Sequence, residues 1–209
     1  MRVIVLFSGG LDSTVLLWWA RQKYRDVVAL SIHYRGRPER ERQAVHAILA
    51  QTHPPVRLIE IELPFYMDLT VWQQLGQLLP ADLRSADVAY LPAKNLLFYS
   101  IAAYYAEILG ARWILGGHYR DDPMRFPDVS RTYFARLNTL IRTGLWSHRP
   151  RLQMPFLRWD KATILRTGKA LGAPLHLAWS CYGDGEQPCG ACPGCHERAR
   201  VAHLLETPS

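Results

Sequence analysis

Two stretches of the chain are apolar almost without interruption. Val3-Ile4-Val5-Leu6-Phe7 and Val27-Val28-Ala29-Leu30-Ser31-Ile32 both lack the polar alternation of a half-exposed strand. Such runs predict strands buried on both faces of a parallel sheet. A third strand is predicted over Val56–Leu63, a fourth over Trp113-Ile114-Leu115, and Arg151-Leu152-Gln153-Met154 is a candidate for a short fifth. Between them the apolar positions recur at helical spacing. One helix starts in Val15–Ala20, and a second runs from Pro38 to about Ala50 with Ala44, Val45, Ile48 and Leu49 on its apolar face. Asn95 is placed as the cap of a helix over Leu96–Leu109 that stops at Gly110. Further helices are predicted over about Ser130–Arg142 and over Lys161–Leu171, the latter capped by Asp160 and closed by Gly172. The βαβαβ order predicts an α/β fold built on a right-handed, doubly wound parallel sheet. From Pro64 to Pro92 the pattern weakens, with one or two helical turns at Trp72-Gln73-Gln74-Leu75. A connection of that length reads as a lid or a binding loop.

Composition changes this picture little. A chain of 209 residues with 49% hydrophobic and 21% charged residues can bury a sizeable core, which excludes a disordered or low-complexity class. No apolar run approaches the roughly 18 residues of a membrane span, and no secretion signal is visible, so the expected location is cytoplasmic. The formal charge of +7 is compatible with nucleic acid or an anionic nucleotide. Its arginines are scattered, however, and the cluster Arg35–Arg42 is interrupted by Glu39 and Glu41, as a solvated helix start would be. Nucleic acid is therefore not the expected partner.

The first strand runs directly into Ser8-Gly9-Gly10-Leu11-Asp12-Ser13-Thr14, and a helix follows. Gly9 and Gly10 lack Cβ, so their amides can close on an anion, and the helix start offers unpaired N–H groups and a positive dipole end at the same point. Asp12, Ser13 and Thr14 add oxygens that can cap the helix or meet a metal-phosphate complex. The competing reading is an ordinary strand-turn-helix. The Gly-x4-Gly-Lys-Ser/Thr spacing of a Walker A motif is absent. The segment instead resembles the pyrophosphate loop of the N-type ATP pyrophosphatases, which cleave ATP between the α and β phosphates and leave an adenylate on the substrate.

Gly116-Gly117-His118 ends the fourth strand. If that strand lies beside the first, the segment faces the same crevice as Ser8–Ser13, at the point where the winding reverses. Asp121, Asp122 and Asp128 would then roof the crevice, either as magnesium ligands or as turn formers.

All four cysteines fall near the C-terminus, as Cys181-x7-Cys189-x2-Cys192-x2-Cys195. Four thiolates supply the tetrahedral sulfur shell that zinc prefers, and Gly190 and Gly194 permit the tight turns between them. An iron–sulfur cluster could use the same set, and disulfides are the alternative in an oxidising compartment. His196 reads as a surface residue.

Taken together, the loop, Leu91-Pro92-Ala93-Lys94-Asn95-Leu96-Leu97-Phe98, Phe126-Pro127-Asp128 and Trp179-Ser180-Cys181-Tyr182 resemble the 7-cyano-7-deazaguanine synthase family, QueC, over nearly the whole chain. The resemblance implies a Rossmann-like ATP pyrophosphatase domain over residues 1–172 and a zinc-bearing lobe over residues 173–209, usually in a homodimer. It also implies that ATP is used twice, to turn 7-carboxy-7-deazaguanine and ammonia first into an amide and then into a nitrile. Ser8, Gly9, Gly10, Asp12 and Ser13 would hold pyrophosphate and Mg2+; Lys94, Asn95, Gly116 and His118 would approach ATP. Asp121 and Asp128 match acidic positions near the site, Phe126 would stack on the deazapurine, and Cys181, Cys189, Cys192 and Cys195 would hold a structural Zn2+. The chain departs from the family pattern at Lys94, usually arginine, at Gly116-Gly117-His118, and at Pro123–Asp128. These departures keep open a related enzyme that adenylates another carboxylate or couples a deazapurine to a protein. A tRNA-thiolating enzyme would need sulfur-handling thiols and an RNA-binding extension, and neither is visible.

Overall fold

The structure, a computed structural model, describes residues 1–34, 36–63, 93–122 and 127–206. The predicted turns at 72–75 and the rest of the 64–92 segment lie outside the described residues, as do Pro123–Phe126.

The strands are β1 (Arg2–Leu6), β2 (Asp26–Tyr34), β3 (Arg57–Leu63), β4 (Trp113–Leu115) and β5 (Arg151–Gln153). The described helices are α1 (Leu11–Lys23), α2 (Glu39–Ala50), α3 (Lys94–Leu109), α4 (Arg131–Gly144), α5 (Lys161–Ala170), α6 (Pro193–Arg200) and α7 (Ala202–Glu206). Single 3-10 turns cover Pro127–Val129 and Leu175–Leu177. The sheet order is β3-β2-β1-β4-β5 and every pair is parallel. Winding therefore reverses between β1 and β4, whose registers align Val3 with Trp113 and Val5 with Leu115. Their carboxyl ends open together on one crevice.

The unbroken apolar run of β1 follows from its central place. Successive side chains point to opposite faces. Val3 and Val5 join Val15, Leu16, Val45, Ile48, Ile164 and Leu165 on the face covered by α1, α2 and α5. Ile4 joins Tyr99, Ala102, Ala106, Phe134 and Leu137 on the face covered by α3 and α4. All three β1 residues are fully buried, and truncating such a residue to alanine costs about 2–5 kcal/mol. β3 is an edge strand, and its Arg57-Leu58-Ile59-Glu60-Ile61-Glu62-Leu63 has the mixed burial that an edge permits. After Gly172 the chain stays on the first of these cores, where Leu175 and Ala178 are buried beside α1 and α5.

Local capping agrees with the residues at two helix starts. The Ser130 side chain accepts from the Tyr133 N–H, and Asp160 accepts from that of Thr163. α3 differs from the expectation. It begins two residues earlier, at Lys94, behind an Ala93 in the left-handed region (φ 55°), so Asn95 stands inside the first turn. Its cap comes from the turn at Pro127–Val129: the Asn95 N–H donates to the Asp128 carboxylate at 3.2 Å, and Asn95 Nδ2 donates to the Asp128 carbonyl at 3.1 Å.

Candidate active site

The glycine loop leaves β1 and is held from three sides. Gly9 adopts φ +81°, and a Cβ there would lie 2.8 Å from the Glu41 carbonyl oxygen of α2. Only glycine lets α2 approach this closely. The Gly9 carbonyl accepts the Trp179 N–H at 3.1 Å, so Gly9 shapes and anchors the loop and is absent from the crevice lining. Inside the loop, the Ser8 N–H donates to Ser13 Oγ, while the hydroxyls of Ser13 and Thr14 both donate to the Gly10 carbonyl. Gly10 caps α1 with no side-chain hydrogen bond. The start of α1 therefore faces a crevice of about 650 Å³, lined among others by Ser8, Gly10, Asp12 and Ser13. That is within the usual size of a small-molecule site.

Three cations surround the loop. Arg37 was expected in a solvated cluster; instead its side chain is only 4% exposed. It donates to the Ser8 and Ile32 carbonyls, each at 2.6 Å, and pairs with Glu41 at 2.6 Å. An i,i+4 acid read as interrupting the cluster is thus the partner that lets the guanidinium sit inside. Lys94 lines the opposite wall with its Nζ 5.7 Å from the Phe98 ring centre. Burial holds its pKa below the ordinary lysine value, against the pull of Glu41.

Lys161, from the start of α5, places Nζ 2.7 Å from Asp12 Oδ2 and 3.5 Å from Glu197 Oε2 of α6. The Tyr119 hydroxyl donates to the other Glu197 oxygen, and Lys161 lies over the Tyr119 ring. Burial works against the charge of Lys161, but the two carboxylates outweigh it and raise its pKa. Burial pushes the Asp12 carboxyl up, and Lys161 opposes that shift. Asp12 Oδ1 is buried with no hydrogen-bond partner among the described residues.

At the end of β4, Gly117 packs against the Asp12 backbone, and His118 Nδ1 lies 3.5 Å from Asp122 Oδ2. The His118 ring sits beside Tyr99 and Phe134. Gly116 and His118 line the crevice as expected from the strand order. The aspartates are arranged differently from the expectation. Asp121 turns outward to Arg120 at 3.2 Å, and Asp122 occupies the crevice wall. Asp128 is engaged in holding Asn95 and is not part of the lining. Phe126 lies outside the described residues. Asp122 was among the three aspartates expected to roof the crevice, whereas Arg37, Tyr119, Lys161 and Glu197 were not singled out from the sequence as site residues.

Behind the crevice, the four cysteine sulfurs all lie within 4.8 Å of one another. Sulfurs around one tetrahedral zinc, at a Zn–S distance near 2.3 Å, stand about 3.8 Å apart. Here Cys189 and Cys195 are 3.9 Å apart, and Cys192 and Cys181 are 4.0 Å apart. All four are free thiols. N–H groups of Gly183 and Cys189 donate to the Cys181 sulfur, and those of Tyr182 and Cys195 to the Cys192 sulfur. The N–H groups of Ala191 and Cys192 hold the Cys189 thiol down at about 6, whereas burial pushes Cys195 up to about 12. The cluster can hold a metal ion. His196 is exposed beside it.

The chain is 33% identical over 205 residues to the 7-cyano-7-deazaguanine synthase of Carboxydothermus hydrogenoformans, covering 93% of this chain and 94% of that protein. The enzyme of the same name from Thermosynechococcus vestitus is 33% identical, over 98% of this chain and 91% of its own. Solved structures share the fold at lower identity. The U34-tRNA thiolase NcsA of Methanococcus maripaludis, described with its [4Fe-4S] cluster, superposes with a TM-score of 0.55 at 14% identity, over 99% of this chain and 66% of that one. The NMN synthetase of Francisella tularensis gives 0.54 at 13%, over 100% and 87%. The model of the queuosine biosynthesis protein QueC matches residues 2–204. With that match spanning the glycine loop, the crevice and the cysteines, the chain belongs to the QueC family.

Proposed function

We propose that this chain is an ATP-dependent synthase that makes 7-cyano-7-deazaguanine from 7-carboxy-7-deazaguanine and ammonia. The observation that carries the reading is the family match over residues 2–204 together with the glycine loop, the start of α1 and Lys94 on one crevice. A polyanion needs such a mouth, and a carboxylate substrate must be activated before ammonia can displace an oxygen.

In the first round a carboxylate oxygen attacks the α phosphorus and pyrophosphate leaves. Ammonia then forms a C–N bond, the C–O bond to AMP breaks, and a nitrogen proton is lost. In the second round the amide oxygen attacks a new ATP, and loss of AMP with the remaining nitrogen protons leaves the nitrile. The α1 start, with Ser8, Gly10 and Ser13, receives the leaving pyrophosphate. Lys94 offers charge to the triphosphate from the opposite wall, and Asn95, fixed by Asp128, sets the position of that wall. Gly116 and His118 border the acceptor side.

The unpartnered, buried Asp12 Oδ1 fits a hard cation. Asp12 and Asp122 would hold Mg2+, which supplies neutralisation of the phosphate oxygens. Cys181, Cys189, Cys192 and Cys195 would hold Zn2+ in a structural role, because four sulfurs this close suit one ion, whereas an iron–sulfur cubane spreads its thiolates over separate irons. Two further readings accompany this one: a cytoplasmic enzyme, and a homodimer formed through exposed apolar side chains such as Tyr104 and Ile108 of α3.

Purified protein given ATP, Mg2+, ammonium and 7-carboxy-7-deazaguanine should release AMP and pyrophosphate and form the nitrile by mass spectrometry. ATP turnover indifferent to that acid, but stimulated by another carboxylate, would replace the reading with a related adenylating enzyme.

A further inference from the structure

The cysteine lobe does more than stand behind the crevice. Its helix α6 begins next to the sulfurs, with Cys192 as cap and Cys195 buried, and two residues later sends Glu197 into the crevice lining. Gly194 makes the seat possible, since a Cβ there would run into the Ser180 carbonyl. From this seat Glu197 makes two contacts. One oxygen accepts the Tyr119 hydroxyl, which fixes the carboxylate, and the other faces Lys161 Nζ at 3.5 Å. Lys161, 11% exposed, has Asp12 on its other side at 2.7 Å. An ammonium so enclosed is held in place by two carboxylates, and the removal of either leaves a buried charge with half its compensation.

We propose that Glu197 is a positioning residue for the adenylation step: it holds Lys161 at the pyrophosphate loop, and through it the metal lobe completes the ATP site. The inference rests on the adenylation reading only for its kinetic consequence. The placement of Lys161 is testable without turnover.

The experiment compares wild type, Glu197→Gln, Lys161→Ala and the double variant. Gln keeps the size of the side chain and its bond from Tyr119, and removes only the charge. In E197Q the rate of AMP release falls about tenfold, the KM for ATP changes less than about threefold, the melting temperature falls modestly, and bound metal stays as in wild type. In the double variant the loss is no larger than in K161A alone, because Glu197 acts through Lys161. Independently of turnover, acetic anhydride labelling of Lys161, followed by peptide mass spectrometry, speeds up about fivefold or more in E197Q. Labelling at the wild-type rate overturns the proposal, whether or not the protein releases AMP. So do additive losses in the double variant, a change confined to KM, or loss of bound metal in E197Q, which would make Glu197 a fold residue only.

Discussion

Lys161 Nζ lies 2.7 Å from Asp12 Oδ2, joining two residues 149 positions apart across the crevice. Each answers the other's burial; an acid suits the first turn of α1, where Asp12 sits, but Lys161 is not explained by its helix. A lysine at the first position of α5 opposes the positive end of that helix. On the proposed function, the arrangement serves the nucleotide site.

Asp12→Ala should therefore lower AMP release by about 10²-fold or more, as loss of a charge-stabilising group at a reacting phosphate does. Removing the carboxylate also leaves the buried Lys161 with Glu197 alone, so the melting temperature should fall while the fold is retained. Initial rates with a pyrophosphate-release assay, beside a thermal melt, check both halves.

Arg37→Ala leaves Glu41 unpaired and withdraws donors from the Ser8 and Ile32 carbonyls. Breaking a buried pair from one side costs about 3–5 kcal/mol. Urea unfolding should show a loss in that range, and Arg37→Lys should recover only part of it, because an ammonium cannot reproduce the guanidinium fork.

Acid should destabilise the protein through His33. Burial first, then the Arg37 guanidinium, holds its pKa below the ordinary 6.5, against the attraction of Glu60. The unfolded chain then binds this proton at higher pH than the folded one does. The stability it contributes is full above about pH 6.5 and is lost as pH falls below that value toward the folded pKa. Melting temperatures measured from pH 8 to pH 5 should fall, and His33→Gln should flatten the slope between about 6.5 and 5.

Metal removal should unfold the C-terminal segment before the sheet. Thiolates in one small volume repel or take up protons once the ion leaves, and metal-site free energy is folding free energy. Cys195→Ser should lower bound metal and speed proteolysis near residues 181–200, while the β1–β2 core keeps its amide protection. Elemental analysis and hydrogen exchange measure the two effects.

The sheet was readable because β1 and β2 announce burial on both faces by lacking any alternation, and because glycine-rich turns sit at the two strand ends that meet. Asp160 was readable as a cap from residue type alone. Arg37 was not, since its partner Glu41 looks like one more charge on a solvated face until α2 is docked against Gly9. Asp121 and Asp122 are chemically identical neighbours, and only the turn after Tyr119, whose N–H binds Asp122, decides which one faces inward. One usable sign was present in both missed and found cations: Lys94 and Lys161 each occupy a helix start, where lysine is locally unfavourable. Such conflicts between local preference and position gather at functional sites. Glu197 offered no sign, because its place depends on how the cysteine turns fold.

The hydrogen bond from the Trp179 N–H to the Gly9 carbonyl also bears on the order in which the enzyme becomes competent. Residues 8–13 emerge from the ribosome early, whereas residue 179 follows after most of the sheet has been made. A chain cut short before Trp179 carries the glycine loop without its closing strap and without the carboxylate that faces Lys161. On the proposed roles of the loop and of Glu197, unfinished copies would not spend nucleotide, and competence would arrive with the last part of the fold to be made.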